Sequence, residues 1–326
     1  MTGRITDRDL SILQAIGRYR FLNADLVRRI VGGSGRGVRN RLRMLSTHAY
    51  LVRLATIVTE PVAYGLANKG ARLLAGRGAD INHRLDWAVK NDTSHYFLAH
   101  TLAVAETMLH FHFTTRDAAI RFIDHHELLP DMPEPTRRAR DPFCMRVAVR
   151  HGGQNILIPA IPDRLFSFLY DDGTRHNFAL ELDRGTMDIW ANRLVGKSSF
   201  RRKLIAYYNA REQKRHAEVW GFKSFRVLTV TIGEERIRSM IEAQRRVASG
   251  CPPGLFLYST PERLARHGAL GPAWITSKSD NISLGHDKQS MRPADFTTPI
   301  AIDDTAPSLR AAGVKPAARY TARARA

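Results

Sequence analysis

Cysteine is nearly absent from this sequence of 326 residues, which has only Cys144 and Cys251. The two lie far apart and neither belongs to a C-x-x-C pair, so neither a disulfide framework nor a cysteine-ligated zinc site has support. No run of about 18 apolar residues occurs, which argues against a transmembrane helix. The opening residues, MTGRITDRDL, contain no apolar segment of the kind found in secretory signals. We therefore expect a cytoplasmic protein.

Acidic residues are scarce relative to basic ones. The chain has 50 Lys and Arg against 31 Asp and Glu, which gives a formal net charge of +19. A basic excess of this size predicts a polyanionic partner, with nucleic acid ahead of an anionic membrane surface. Apolar residues still make up 44% of the sequence, enough for folded cores, and the length allows two domains.

Residues 1–80 contain three short helical patterns in succession. Capping residues precede the first two patterns, and a glycine-rich run ends the second. A third helix is predicted over residues 36–46, with Val38, Leu42 and Leu45 on its apolar face because they follow an i, i+4, i+7 spacing. The segments that follow are rich in β-forming residues and predict a short hairpin.

The other faces of the third helix are basic. Arg and Asn side chains hydrogen-bond guanine and adenine edges in the major groove, and they also clamp phosphates. A helix, a turn and a basic second helix form the helix-turn-helix arrangement, to which the hairpin adds a wing. We therefore predict a winged helix-turn-helix that binds double-stranded DNA. The residues expected to contact DNA are Arg36, Arg39, Asn40, Arg41, Arg43 and Arg53.

The charge of this first region supports the same prediction. Residues 1–80 carry 14 Lys and Arg against five Asp and Glu, and such an asymmetry is typical of an electrostatic footprint on DNA. Winged helices also mediate protein contacts, and that remains the alternative.

The region 93–262 alternates helical and strand patterns and predicts an α/β domain. It begins with a long helix over 93–113. A segment rich in proline and arginine over 127–142 predicts a loop. From residue 275 to residue 326 the apolar periodicity is lost, which predicts a basic, largely disordered tail. The expected class is thus mixed α/β, with three regions at 1–80, 93–262 and 275–326.

Three carboxylates follow predicted strands in this second region. Glu181 and Asp183 are two residues apart at the end of one strand and therefore point to the same side. Asp163 follows the strand before it. Clustered carboxylates repel one another without a cation, and oxygen ligands suit Mg²⁺ or Mn²⁺. The alternative is three strand-end residues that are solvated separately.

The triplet His110-Phe111-His112 fits the bare pattern of His-hydrophobe-His relaxases. It lies in the predicted long helix, where residues two apart point about 200° away from each other. Both imidazoles then cannot bind one metal ion, which argues against this class of enzyme.

Several segments resemble the plasmid replication-relaxation family. They read RDLSILQAIGRYRFLNADLVRRI, VRNRLRMLSTHAYLVRL and YGLANKGARLL, followed by a helix with HTLAVAE and a strand with FALELDRGT. The resemblance covers about residues 5–245. It implies a role in plasmid replication and DNA relaxation, linked to mobilisation. The partners expected are double-stranded DNA, a relaxase or replication protein, and a second copy of the chain, with no membrane.

The second half of the chain is also similar to the PD-(D/E)xK nuclease superfamily, which implies a restriction-endonuclease-like α/β domain. In that superfamily a helix glutamate, the Asp of a Pro-Asp pair and an E-x-K strand hold a divalent metal. The matching positions here are Glu106, Asp163 and Glu181. Asp183 stands where the motif has its lysine, and Lys203 on the next helix is the residue able to replace that lysine.

These resemblances leave different functions open. One is a DNA-binding accessory protein of a plasmid or mobile element, without catalysis. Another is a metal-dependent endonuclease that the winged helix targets, with Mg²⁺ or Mn²⁺ on Asp163 and Glu181. Its candidate catalytic residues are Glu106, Asp163, Glu181, Asp183 and Lys203. A pure transcriptional repressor is a third, although the large α/β region exceeds what repression requires.

Overall fold

The computed structural model describes residues 4–54, 60–79, 81, 83–118, 120–191, 194, 198–248 and 250–285. Its mixture of helices and sheets confirms the predicted α/β class. The chain forms two compact units, and the division falls after Met108. None of the described helices is both long and apolar enough to cross a membrane.

The first unit combines helices with a small sheet. Its elements are α1 (Asp7–Tyr19), β1 (Phe21–Asn23), α2 (Ala24–Val31), α3 (Gly35–Thr47), β2 (Leu51–Leu54), β3 (Ala63–Leu66), α4 (Asn68–Gly76), α5 (Trp87–Asn91) and the start of α6 (His95–Asp117). The sheet has the strand order β1-β3-β2, and both pairings are antiparallel. The sequence predicted the β2–β3 hairpin, whereas β1 was missed because three residues are too few to show an alternating pattern.

Local capping explains where the first three helices begin. The Thr6 side chain accepts a hydrogen bond from the backbone of Asp9, whose carboxylate accepts one in return, so that the two form a capping box. The Asn23 side chain accepts from the backbone N–H of Leu26 at 2.9 Å and begins α2. Gly32 then ends α2 with a φ of 70°, which a residue without Cβ adopts at no steric cost.

The first unit extends beyond the predicted boundary at residue 80. Phe97 and Leu102, from the first half of α6, pack against a buried cluster of Phe21, Ala63 and Leu98. Burying such apolar side chains stabilises a fold by about 25 cal/mol per Å² of apolar surface. These contacts place the first half of α6 in this unit. His110 and His112 both lie in α6, so they point to different sides of one helix and cannot bind one metal ion together.

The second unit is built on a larger sheet. After α6 it contains β4 (Arg121–Asp124), α7 (His125–Leu128), α8 (Glu134–Arg138), β5 (Met145–His151), β6 (Gln154–Ala160), β7 (Arg164–Leu169), β8 (Arg175–Leu182), α9 (Phe200–Glu212), α10 (Arg215–Trp220), β9 (Arg226–Val230), α11 (Glu234–Val247), β10 (Phe256–Ser259), α12 (Pro261–His267), β11 (Trp274–Ile275) and β12 (Asn281–Ile282). Seven strands form one sheet in the order β12-β11-β10-β9-β8-β7-β4. Its centre, β8-β9-β10, is parallel, and the other pairings are antiparallel.

Several boundaries of the second unit differ from the prediction. The segment predicted as a loop over 127–142 contains α8 and a short 3-10 turn. The helix predicted from residue 194 begins at Phe200, because Ser199 caps it, and it ends near Lys214, whose φ of 54° interrupts the helical backbone. Strand β6 pairs with β5 in a separate hairpin and does not join the main sheet.

The end of the described chain also differs from the prediction. The predicted tail starts at residue 275, but β11 and β12 lie in the main sheet and the described chain continues to Gly285. Strands of two residues show no periodicity in sequence, which explains why the prediction ended the fold too early. The rest of the predicted tail, 286–326, lies outside the described residues.

Candidate nucleic-acid interface and buried carboxylate cluster

One face of α3 is a row of exposed basic and amide side chains. Arg36, Arg39, Asn40 and Arg43 are all exposed, and they follow the i, i+3, i+4, i+7 spacing of one helix face. Within the described part of the chain, none of their side chains has a hydrogen bond or an ion pair. The face is therefore available to an external partner.

The opposite side of α3 fixes that face in place. Val38, Leu42 and Leu45 are fully buried, so the helix cannot rotate without exposing apolar surface. Ser34 caps the helix by accepting a hydrogen bond from the backbone N–H of Gly37 at 3.1 Å. The first turn carries no acidic residue, and the positive end of the helix dipole adds to the charge of Arg36.

Arg41 has a different role from its neighbours on α3. Its Nε donates to Oδ1 of Asp9 at 2.7 Å, and its Nη2 also contacts that carboxylate. Asp9 is fully buried on α1. Burial alone would raise the pKa of Asp9, but hydrogen bonds from Arg41 and Thr6 outweigh it and lower the pKa below its ordinary value. Arg41, predicted to contact DNA, thus joins α3 to α1.

Arg53 is the remaining residue predicted to contact DNA. It is exposed on β2, where it lies opposite Tyr64 of β3. Its side chain has no partner among the described residues, so it also is available to an external ligand. The residues that connect the two strands, 55–59, lie outside the described part of the chain.

Glu106, the predicted helix glutamate of a metal site, belongs to the first unit. Its side chain is 50% exposed, and its Oε1 lies 3.3 Å from Nη1 of Arg29 on α2. The other candidate residues of the predicted catalytic set lie in the second unit. In this structure Glu106 is therefore a surface carboxylate with a basic partner.

Glu181 and Lys203 form a buried ion pair in the second unit. Glu181 lies near the end of β8 and is 2% exposed. Its Oε2 contacts the Nζ of Lys203, and its Oε1 accepts a hydrogen bond from the Tyr207 hydroxyl at 2.5 Å. Both partners come from α9, because residues four apart on a helix lie on the same face. Lys203, the residue able to replace the motif lysine, thus lies against the Glu181 carboxylate.

Asp163 completes the group around Lys203. Its Oδ2 accepts a hydrogen bond from the backbone N–H of Leu182 at 2.7 Å, which holds the turn before β7 against the end of β8. Its charge acts on both Glu181 and Lys203. We refer to Asp163, Glu181, Lys203 and Tyr207 as the carboxylate–lysine cluster.

Burial and charge act in opposite directions on the ionisable groups of this cluster. Burial raises the pKa of Glu181 to about 7. The positive charge of Lys203 lowers this pKa, and the negative charge of Asp163 raises it. Burial would lower the pKa of Lys203, but Glu181 and Asp163 together raise it above its ordinary value. The ammonium therefore stays charged at neutral pH, and the carboxyl is the group that titrates.

Asp183 occupies the strand position where the nuclease motif has its lysine, and other partners hold it. Its Oδ1 accepts from Nη2 of Arg236 on α11 at 2.8 Å, and its Oδ2 accepts from the Thr231 hydroxyl at 2.6 Å. Arg236 also donates to the backbone carbonyl of Met187 at 2.5 Å. Asp183 therefore anchors α11 and the loop after β8.

Protein donors already hold the carboxylates of Glu181 and Asp183. Each oxygen of Glu181 and of Asp183 already accepts from a donor. In the described ranges no three His, Cys, Asp or Glu side chains gather closely enough to hold a metal ion. The cation next to Glu181 is the ammonium of Lys203, which supplies the positive charge that clustered carboxylates require.

Sequence reasoning missed the donors that hold the carboxylates. Arg236 and Thr231, which donate to Asp183, follow β9 and belong to no recognisable motif. Arg41, which donates to Asp9, lies 32 residues after it in the sequence. The one usable signal was the spacing of Lys203 and Tyr207, which places both on the face of α9 that meets Glu181.

Comparison with known proteins identifies the chain at the level of a family. No curated protein and no solved structure matches it. The model of the replication-relaxation family matches residues 13–219, well over half of the chain. That range includes α3 with its exposed basic face and the whole carboxylate–lysine cluster. The chain therefore belongs to the replication-relaxation family, whose description points to a role in the replication and relaxation of plasmid DNA.

Proposed function

We propose that this protein binds double-stranded DNA through α3, which is the recognition helix of a winged helix-turn-helix. In this role it acts as an accessory protein in plasmid replication, relaxation and mobilisation. The observation that carries the proposal is the exposed face of α3. Four side chains able to bind bases or phosphates lie there in one row, without partners in the described part of the chain. Arg53 on β2 adds a fifth from the hairpin.

The contrast with Arg41 supports this assignment. An arginine that serves the fold is bonded to a buried carboxylate, as Arg41 is to Asp9. Arg39 and Arg43 have no such bond, although an unpaired arginine at the surface repels its basic neighbours. In a chain of net charge +19, a row of this kind is suited to the phosphates and guanine edges of a major groove.

The experiment is a duplex-binding titration of the wild type and the double variant Arg39→Ala/Arg43→Ala at several salt concentrations. The double variant should bind at least about tenfold more weakly, because an arginine–base pair contributes about 1–3 kcal/mol. It should also have a smaller salt dependence, since each lost phosphate contact lowers the slope of log K against log salt by about 0.9.

The matched control removes the same charge from another helix of the same unit. Arg72 and Arg77, at α4, are also exposed, and Arg72→Ala/Arg77→Ala should have a much smaller effect. Equal losses of duplex affinity in the two double variants would show that the effect comes from net charge alone. Unchanged affinity and salt slope in Arg39→Ala/Arg43→Ala would remove α3 from the interface.

A relaxase or a replication protein is the protein partner that this role implies. A second copy of the chain is also expected, because helix-turn-helix proteins commonly bind two half-sites as dimers. Size-exclusion chromatography with light scattering, with and without duplex DNA, tests the dimer. A mass of one chain without DNA, and of one chain plus one duplex with DNA, would exclude it.

The second candidate function is a Mg²⁺- or Mn²⁺-dependent DNA endonuclease. One observation favours it, namely that Lys203 lies against Glu181 and near Asp163, where the nuclease motif requires a lysine. The donor set opposes it, because Glu181 has no unoccupied oxygen and Glu106 pairs with Arg29.

Supercoiled plasmid with Mg²⁺ or Mn²⁺ separates the two candidates. For the accessory protein we expect binding without nicking in both wild type and Glu181→Gln. Nicking that requires the metal, and that Glu181→Gln abolishes while duplex binding persists, would establish the endonuclease instead.

A further inference from the structure

Trp190 is the exposed member of the four tryptophans. It is 40% exposed, whereas Trp87, Trp220 and Trp274 are at most 2% exposed. A large aromatic ring in water costs free energy unless a partner covers it. Trp190 lies in the segment between β8 and α9, in the second unit, whereas the residues used in the duplex-binding proposal belong to the first unit.

The loop holds Trp190 in a defined position. Oδ1 of Asp188 accepts from the backbone N–H of Trp190 at 2.7 Å, and Ile189, the residue before the ring, is buried. Two further backbone bonds join this loop to the start of α9, from Phe200 to the carbonyl of Asp188 and from Arg201 to that of Ile189. The exposed ring therefore follows a backbone segment, residues 188–189, that is hydrogen-bonded to the start of α9.

A small cavity lies beside the ring. It measures about 370 Å³ and is lined by Trp190, Arg201, Ala243, Arg246 and Val247, which places it at the small end of ligand pockets, about 300–1,000 Å³. The Cζ of Arg246 lies 4.6 Å from the centre of the Trp190 ring. The walls thus combine a flat aromatic surface, two guanidinium groups and an aliphatic floor.

The charge of the cavity is positive. The Arg201 side chain has neither a hydrogen bond nor an ion pair within the described residues. Arg246 pairs with Glu242 one turn earlier on α11, at a site where both side chains are more than half exposed, and such a pair is weak in water. An aromatic ring for stacking, beside arginines for phosphate, is the combination that binds unpaired nucleotides.

We propose that this cavity binds single-stranded DNA, with one base stacked on Trp190 and the neighbouring phosphates on Arg201 and Arg246. A base that stacks on the face of Trp190 has to be out of the duplex, because both faces of a paired base are covered by its neighbours. The residues of this site all belong to the second unit, and the inference does not depend on the duplex-binding proposal.

Tryptophan fluorescence of the full chain tests the proposal, because Trp190 is the ring open to solvent. Titration with oligo(dT) should quench the emission. Trp190→Ala should lose that quenching and bind oligo(dT) about five- to 150-fold more weakly, since stacking of one base contributes this range. Trp190→Phe should lose the fluorescence signal but retain more affinity than the alanine variant, because a phenyl ring still stacks.

Two controls separate stacking from charge and from the duplex site. An oligonucleotide of equal length without bases keeps the phosphates and should not quench Trp190. Arg39→Ala/Arg43→Ala should lose duplex affinity but keep the quenching by oligo(dT). Equal quenching in wild type and Trp190→Ala, equal quenching by the oligonucleotide without bases, or unchanged oligo(dT) affinity in Trp190→Ala would each overturn the proposal.

Discussion

The exposed face of α3 in the first unit and the buried carboxylates of the second unit treat basic side chains in opposite ways. On α3 of the first unit, Arg36, Arg39 and Arg43 extend into solvent without partners in the described chain. In the second unit Lys203 and Arg236 contact buried carboxylates. An exposed charge is solvated by water, but a buried one is costly without a partner. The exposed charges are therefore available for binding, whereas the buried ones hold the structure together.

The largest effect is expected where a buried pair is broken. Lys203→Met leaves Glu181 with Tyr207 as its sole described side-chain donor, in a site that is 2% exposed. Removing one partner of a buried pair costs about 3–5 kcal/mol, and urea unfolding at pH 8.5 measures that loss. The double variant Lys203→Met/Glu181→Gln should recover much of it, because both charges are gone. A single variant as stable as the wild type would show that the pair does not stabilise the fold.

The pH dependence of the same pair sharpens this prediction. The pKa of Glu181 is raised from 4.5 to about 7 in the folded protein, so the folded state binds this proton more tightly than the unfolded state. Its contribution to stability is then fully present below pH 4.5 and is lost as the pH rises through about 7. Glu181→Gln should remove this decline from the wild-type stability profile, and Lys203→Met should be less destabilising at pH 5 than at pH 8.5.

A smaller effect is expected within α3, where one helix carries both kinds of arginine. Arg41→Ala leaves the buried carboxylate of Asp9 without its charged donor, and loss of such a hydrogen bond costs about 1.5–3 kcal/mol. Arg43→Ala removes an exposed side chain and should change stability by at most about 0.5 kcal/mol. Thermal unfolding of the two variants tests the comparison. If both variants lose the same stability, the distinction between paired and available arginines on α3 is wrong.

The sequence was sufficient for elements that depend on local patterns. Apolar spacing and caps predicted α1, α2 and α3. It was insufficient where a partner lies far along the chain. Arg39, Arg41 and Arg43 are the same residue type on one helix, and their difference depends on Asp9, which belongs to another helix. Similarly, no local pattern indicates that Arg236 holds Asp183, because the two lie 53 residues apart.

The smallest effect is expected at Glu106, which the nuclease resemblance assigned to a metal site. Its pair with Arg29 is 3.3 Å long and its side chain is 50% exposed, and exposed pairs contribute about 0–1 kcal/mol. Glu106→Ala should therefore leave the unfolding temperature nearly unchanged, and Arg29→Ala should also leave it nearly unchanged. The plasmid assay adds a readout that a surface pair would not affect. If wild type nicks plasmid with Mn²⁺ and Glu106→Ala does not, Glu106 acts in catalysis and is more than a partner of Arg29. If nicking is absent from both, or present in both, Glu106 is a surface residue whose charge only balances that of Arg29.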